Sequence, residues 1–230
     1  MKPLKLAAML FAVLSFAGCA VAPQNPVALQ SNFWDAKPKK VGIVMTKVPE
    51  LDMTYPGAGC LLCLAAASAA NATLSGYVET LSDEDLPAIK AELAKRLKAK
   101  GIEVVVIEAP IDLSELPKND GDAPNTSRID FSSFKKDQGL THLFVIDVTY
   151  LGMQRAYSSY VPTGAPQGVM QGSSFVVNLD NHVFEWYQPL NVSKGVTDEW
   201  DEPPQFPALT NAYYQALETG KDMILTPFAN

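Results

Sequence analysis

The most restrictive stretch of the chain is SDEDLPAIKAELAKRLKAK, running directly into GIEVVVIEA at residues 82–109. Ser82 can cap a helix, Asp83, Glu84 and Asp85 stand where the positive end of the helix dipole favours acids, and Lys95, Arg96, Lys98 and Lys100 crowd the negative end before Gly101. Leu86, Ile89, Leu93 and Leu97 fall on one stripe, so this helix over 82–100 is built to lie against a sheet. Gly101 then opens a run at 102–109 that is apolar on both faces, the pattern of an interior strand. A helix that returns at once into such a strand commits the chain to a layered α/β architecture.

The remaining segments extend that architecture. KKVGIVM (39–45) reads as a short strand opening the domain. Residues 110–139 are polar, with Pro, Asn, Asp and Gly clustered in PKNDGDAPNTS, and read as a long surface excursion ending in a short helix at 130–138. THLFVIDVTYLGMQ (141–154) and GVMQGSSFVVNL (168–179) are strands around a loop rich in Gly and Pro, and Asp180 and Asn181 turn the second of them into HVFEWYQPLNVSKG as a hairpin. Pro189 removes a ladder donor and so marks that last strand as an edge or a bulge. A closing helix, ALTNAYYQALETGKDMIL, places Leu209, Tyr213, Leu217 and Ile224 near one stripe. The order predicts an α/β (α+β) fold, a mixed sheet of about five strands with helices mainly on one face.

That order, with LFVIDVTY followed by a second strand and the hairpin NLDNHVFEW ending in an aromatic, resembles the periplasmic α/β domain shared by the curli secretion lipoprotein CsgG, the penicillin-binding-protein activator LpoB and the amino-terminal domain of TolB. The resemblance spans about residues 39–225, rests on pattern, and implies an envelope-assembly role; it assigns no functional residue.

Address comes from the start of the chain. MKPLKLAAMLFAVLSFAG (1–18) has basic Lys2 and Lys5, an apolar stretch from Leu6 to Phe16 and small Ala17 and Gly18 before Cys19, the layout of a secretory signal. FAGC resembles a bacterial lipobox, although Phe16 stands where Leu is usual, and it makes Cys19 the expected lipidation site. Several acyl chains on one residue give durable anchoring, each buried methylene contributing about 0.8 kcal/mol. By the same resemblance Ala20, where an Asp would signal inner-membrane retention, favours the outer membrane, periplasmic face. Residues 19–38, with several prolines and no sustained apolar period, read as a flexible tether, leaving 39–230 as one domain. The formal net charge of −7 becomes −9 when residues 1–18 leave with their two lysines, which argues against nucleic acid as a partner.

One stretch resists the α/β reading. From Met53 to Val78 there is no charge, and YPGAGCLLCLAAASAAN (55–71) sets Cys60 and Cys63 at its head. A turn at Pro56 and Gly57 would place both cysteines in the first turn of a helix, on one side of it. In an oxidising compartment the pair is a candidate disulfide. A helix start also lowers a thiol pKa, as an exchange centre requires, but no basic or aromatic neighbour adjoins the pair in sequence. The run is long enough to raise membrane insertion, while Ser68, Asn71, Thr73 and Ser75 weaken it. The reading favoured by composition is a buried or subunit-contacting helix whose small residues permit close packing.

No other chemistry presents itself. His142 and His182 fall in separate strands or turns and read as ordinary polar residues, short of the four ligands zinc requires, so no metal or other cofactor is expected. There is no GxSxG, HExxH or Walker glycine loop. DEWDEPPQFP lacks the glycine and terminal Glu of a calcium loop and reads as a solvated segment in which Trp200 and Phe206 are candidate partner-binding residues. The expectation is a non-enzymatic, lipid-anchored adaptor or assembly subunit whose partners are the outer membrane, other envelope proteins and further copies of itself. A pore or secretion-channel subunit and a tethered thiol oxidoreductase are the alternatives.

Overall fold

The computed structural model describes residues 23–34, 40–121, 123–196 and 199–229. The signal segment 1–18 and Cys19 lie outside them. The described chain forms a mixed α/β fold around a six-stranded sheet. Strand β1 (Lys40–Met45), β2 (Asp52–Thr54), β3 (Glu103–Val106), β4 (His142–Gln154), β7 (Gln167–Asn178) and β8 (Phe184–Lys194) build it, and a small hairpin of β5 (Tyr157–Ser158) and β6 (Val161–Pro162) stands apart. The order is β3-β1-β4-β7-β8, with β2 paired to the far end of β4. Strands β3, β1 and β4 run parallel, whereas β4, β7 and β8 form an antiparallel meander. Gly152 in β4, at φ +154°, faces the Asp52 carbonyl so closely that any side chain there would displace β2.

The helices are α1 (Leu61–Ala70), α2 (Ala72–Val78), α3 (Ile89–Ala99), α4 (Ser132–Gln138) and α5 (Pro207–Leu225). The larger core lies between the sheet and α2, α3 and α5, where Phe144 meets Trp186 at 5.4 Å and Phe228 at 5.1 Å between ring centroids. Arg96 of α3 donates to the Leu225 carbonyl at 2.8 Å, satisfying an acceptor that the end of α5 leaves open. A thinner core on the opposite face gathers Phe131, Leu143, Val145, Phe175 and Val177.

Three expectations are corrected. The strand expected to be interior is an edge, because among the described residues β3 pairs with β1 alone. Its apolar character has a different cause: Val104 and Val106 pack on one core and Val105 and Ile107 on the other, so both faces are covered while one side stays unpaired. The capped helix start at Ser82 is likewise displaced. Leu86 and Ile89 donate three residues back, to the Asp83 and Leu86 carbonyls, and α-helical winding begins only at Ile89, past Pro87. The tether reading fails for residues 23–34. Val27 exchanges two 2.9 Å backbone hydrogen bonds with Tyr187 of edge strand β8, and Phe33 is 2 % exposed beside Trp34 and His142. An apolar Val and two aromatics suffice to dock a segment whose prolines suggested a free spacer.

Candidate docking surface

The uncharged stretch becomes a protruding helix. Tyr55, Pro56 and Gly57 make a turn closed by Ala58 N–H on the Tyr55 carbonyl at 3.1 Å, and it is pinned to β5 by Tyr157 N–H on the Pro56 carbonyl at 2.7 Å. Gly57 adopts φ +88°, and a Cβ there would strike the Tyr157 carbonyl, so this turn admits only glycine. Cys60 follows as the N-cap of α1, its Sγ accepting from Cys63 N–H at 2.9 Å, and the two cysteines form a disulfide within the first turn. Cys60 is exposed and Cys63 buried. The Tyr160 hydroxyl lies 3.7 Å from Cys60 Sγ.

Within α1 only Cys63 and Ala67 are buried. Leu61 and Leu62 stand 88 % and 73 % exposed, and Leu64, Tyr160 and Val161 are also open to solvent. The buried half of the packing expectation is therefore corrected: this helix rests on its own domain through one narrow line and turns its leucines outward. The cause lies in composition. A helix with no polar stripe contains nothing that defines a water-facing side, and α2, α3 and α5 cover the sheet face of the main core.

A polar clamp fixes the far end. Asn71, 3 % exposed, donates to the Ala67 carbonyl at 2.7 Å and to the Tyr157 hydroxyl at 2.8 Å, and accepts from Arg155 Nη1 at 2.8 Å. Here the chain bends by 76° into α2, whose Leu74 and Val78 enter the main core. Among the described residues no single helix is long and apolar enough to cross a membrane; α1 and α2 pass only as a bent pair.

Trp200 and Phe206 sit near this bend, lining a cavity of about 230 Å³ with Asn71 and Arg155. Phe206 is corrected as a partner-binding residue: it is 2 % exposed, 5.6 Å from the Tyr77 ring, and caps α5 with a left-handed φ of 41°. Trp200 is half-buried, with the Arg155 guanidinium 4.6 Å from its ring centroid. His142 and His182 contact Glu185 and Asp130 at 3.3 and 3.8 Å, in different places. Burial holds the His142 imidazole below its ordinary value, opposed by Glu185. Among the described residues no three His, Cys, Asp or Glu side chains could hold a metal ion.

No family model and no characterised protein matches the chain. Among solved structures it is similar to the PelC dodecamer from Paraburkholderia phytofirmans, at 11 % identity and a TM-score of 0.30 over 89 % of this chain and 94 % of that one. It is also similar to the hypothetical protein CT253 from Chlamydia trachomatis, at 8 % identity and a TM-score of 0.30 over 82 % and 99 % of the two chains. Likeness at this level leaves the argument with the residues themselves.

Proposed function

We propose that the protein is a lipid-anchored adaptor or assembly subunit of an outer-membrane envelope complex, acting on the periplasmic face without chemistry of its own. The observation that carries this reading is the exposure of Leu61 and Leu62, at 88 % and 73 %, on a helix devoid of charge. Contiguous exposed apolar side chains are the mark of an interaction surface. The occupant is another envelope protein offering an apolar groove. A helix of 10 residues is about 15 Å long, half the roughly 30 Å hydrocarbon core of a bilayer. Its continuation, α2, is committed to the domain's own core, so α1 has the dimensions of a knob and not of a span. The signal and Cys19 supply the compartment, and the element order that resembles the CsgG, LpoB and TolB domain supports the same class.

Two other readings have one observation each. The bent pair of α1 and α2 favours a channel subunit whose apolar segment enters the bilayer. The exposed Cys60 at a helix start favours a thiol oxidoreductase.

Cross-linked capture from envelopes tests the main reading with the double variant Leu61→Glu, Leu62→Glu. The wild-type chain should retain a protein partner that the equally folded variant loses. Retention of that partner by the variant would remove α1 from docking, and loss of vesicle binding in its place would transfer support to the channel reading.

A further inference from the structure

The sheet face opposite α3 and α5 carries a second feature, independent of the α1 surface. Along it the register aligns Val145, Phe175 and Tyr187 as one row across three strands, and Asp147, Ser173 and Pro189 as the row two residues further on. The first row is apolar and feeds the thin core; with the second the apolar filling stops. The space beside the two rows is a cavity of about 570 Å³, roofed by the 123–129 loop and by Pro23, Gln24 and Asn25 of the amino-terminal segment. Gln24 Nε2 donates to Asn125 Oδ1 at 3.0 Å, tying the two roofing segments together. That volume lies within the range of small-molecule sites, roughly 300–1,000 Å³.

Its lining has a definite chemical bias. Asp147 is half-buried, and Oδ1 accepts from Thr46 Oγ1 at 3.1 Å; among the described residues this is its one hydrogen-bond partner, and no ion pair reaches it. Phe175 and Tyr187 stack at 5.8 Å between centroids with 15° between their planes, giving the cavity an aromatic wall beside that carboxylate. Thr126 also lines the cavity, although its Oγ1 is turned away from the open space. The cation that lines the cavity, Arg128, is solvent-exposed and has an interaction of its own, and it is not among the groups that act on Asp147. A carboxylate drawn partly out of water with one neutral donor is an incomplete site, since a half-buried charge is stabilised by a counter-charge or further donors. Aromatic ring faces add attraction for cations.

We propose that this cavity is a binding site for an alkylammonium group, the ammonium pairing with Asp147 and the aliphatic stem lying against the Phe175 and Tyr187 wall. Two sources share that chemistry, a free diamine and the lysine side chain of a protein, and the test separates them.

The purified chain is titrated with cadaverine, with Nα-acetyl-lysine methylamide and with neutral 1-pentanol, following the Asp147 carboxyl carbon by NMR and the heat of binding. The expected result is saturable binding of one or both amines with a shift of the Asp147 resonance, and affinity at least about tenfold weaker for pentanol and for Asp147→Asn. Cadaverine alone would identify a free-amine site, and the lysine derivative a protein-derived one. Equal binding of pentanol, or an Asp147 resonance unmoved by either amine at millimolar concentration, would overturn the proposal. That resonance is read in the wild-type chain, so the outcome stands even if Asp147→Asn fails to fold.

Discussion

Arg155 and Asn71, 84 positions apart in sequence, meet through a 2.8 Å hydrogen bond from the guanidinium to the amide oxygen, and that contact holds the bend from which α1 projects. The same Asn71 amide nitrogen serves the Ala67 carbonyl and the Tyr157 hydroxyl, so one buried side chain ties α1 to both β5 and the loop after β4. Replacing it leaves several polar groups without partners.

Asn71→Ala should therefore cost about 2–3 kcal/mol of stability, by loss of the hydrogen bonds and exposure of buried donors and acceptors. The loss should appear as a lower denaturant midpoint and as faster proteolysis at α1 than elsewhere. An unchanged midpoint would mean that the clamp does not hold the helix.

The disulfide closes a very short loop, so its removal relaxes the unfolded chain only modestly. Cys60→Ala with Cys63→Ala should cost about 1–2 kcal/mol, and the assembly state should follow that stability. No disulfide-exchange activity should disappear. Rapid exchange of the wild-type chain with a peptide disulfide, abolished in a well-folded double variant, would replace the adaptor reading with the oxidoreductase one.

Cys19 is the expected acceptor of lipid. Cys19→Ser should accumulate as unprocessed precursor and take up no labelled fatty acid, and normal acylation of the variant would refute the lipobox reading.

Burial raises the Asp147 carboxyl above its ordinary 3.8, with the Thr46 hydroxyl opposing the shift. The native state therefore holds a proton there more tightly than the unfolded chain does. The stability from this residue is fully present below the ordinary value and is lost as pH rises through the elevated one. At neutral pH Asp147→Asn should consequently raise the melting temperature, and the gain should vanish in acid. A lower melting temperature at pH 7 would show the charged carboxylate to be well satisfied.

Some of this could be read without coordinates. The meander of β4, β7 and β8, the turn at Asp180 and Asn181 and the edge position of Pro189 follow from local alternation and turn chemistry, because a strand's neighbours in a hairpin are its neighbours in sequence. The stripe of α5 was legible for the same kind of reason: Leu209, Tyr213, Leu217 and Ile224, all buried, repeat at the helical period. The helix cap at Cys60 is also local, encoded by the Pro56 and Gly57 turn just before it.

Position in space was not local. The valines of β3 report that both faces are covered, a property shared by interior and edge strands, and only the lack of a second strand beside β3 among the described residues decides which it is. Phe206 and Leu61 make the contrast plainest. By composition Phe206 sits in an acidic, solvated segment and Leu61 in an apolar one, yet the phenyl ring is buried against Tyr77 while the leucine is almost wholly exposed. Hydrophobic burial is set by how much sheet area the fold offers each element, and in this fold α2, α3 and α5 occupy that area. Sequence alone determined the meander of β4, β7 and β8, the buried stripe of α5 and which segments lack charge; the tertiary structure decided where α3 begins, which short strands join the sheet and which apolar surface was left over, because the faces of one sheet can be covered only once.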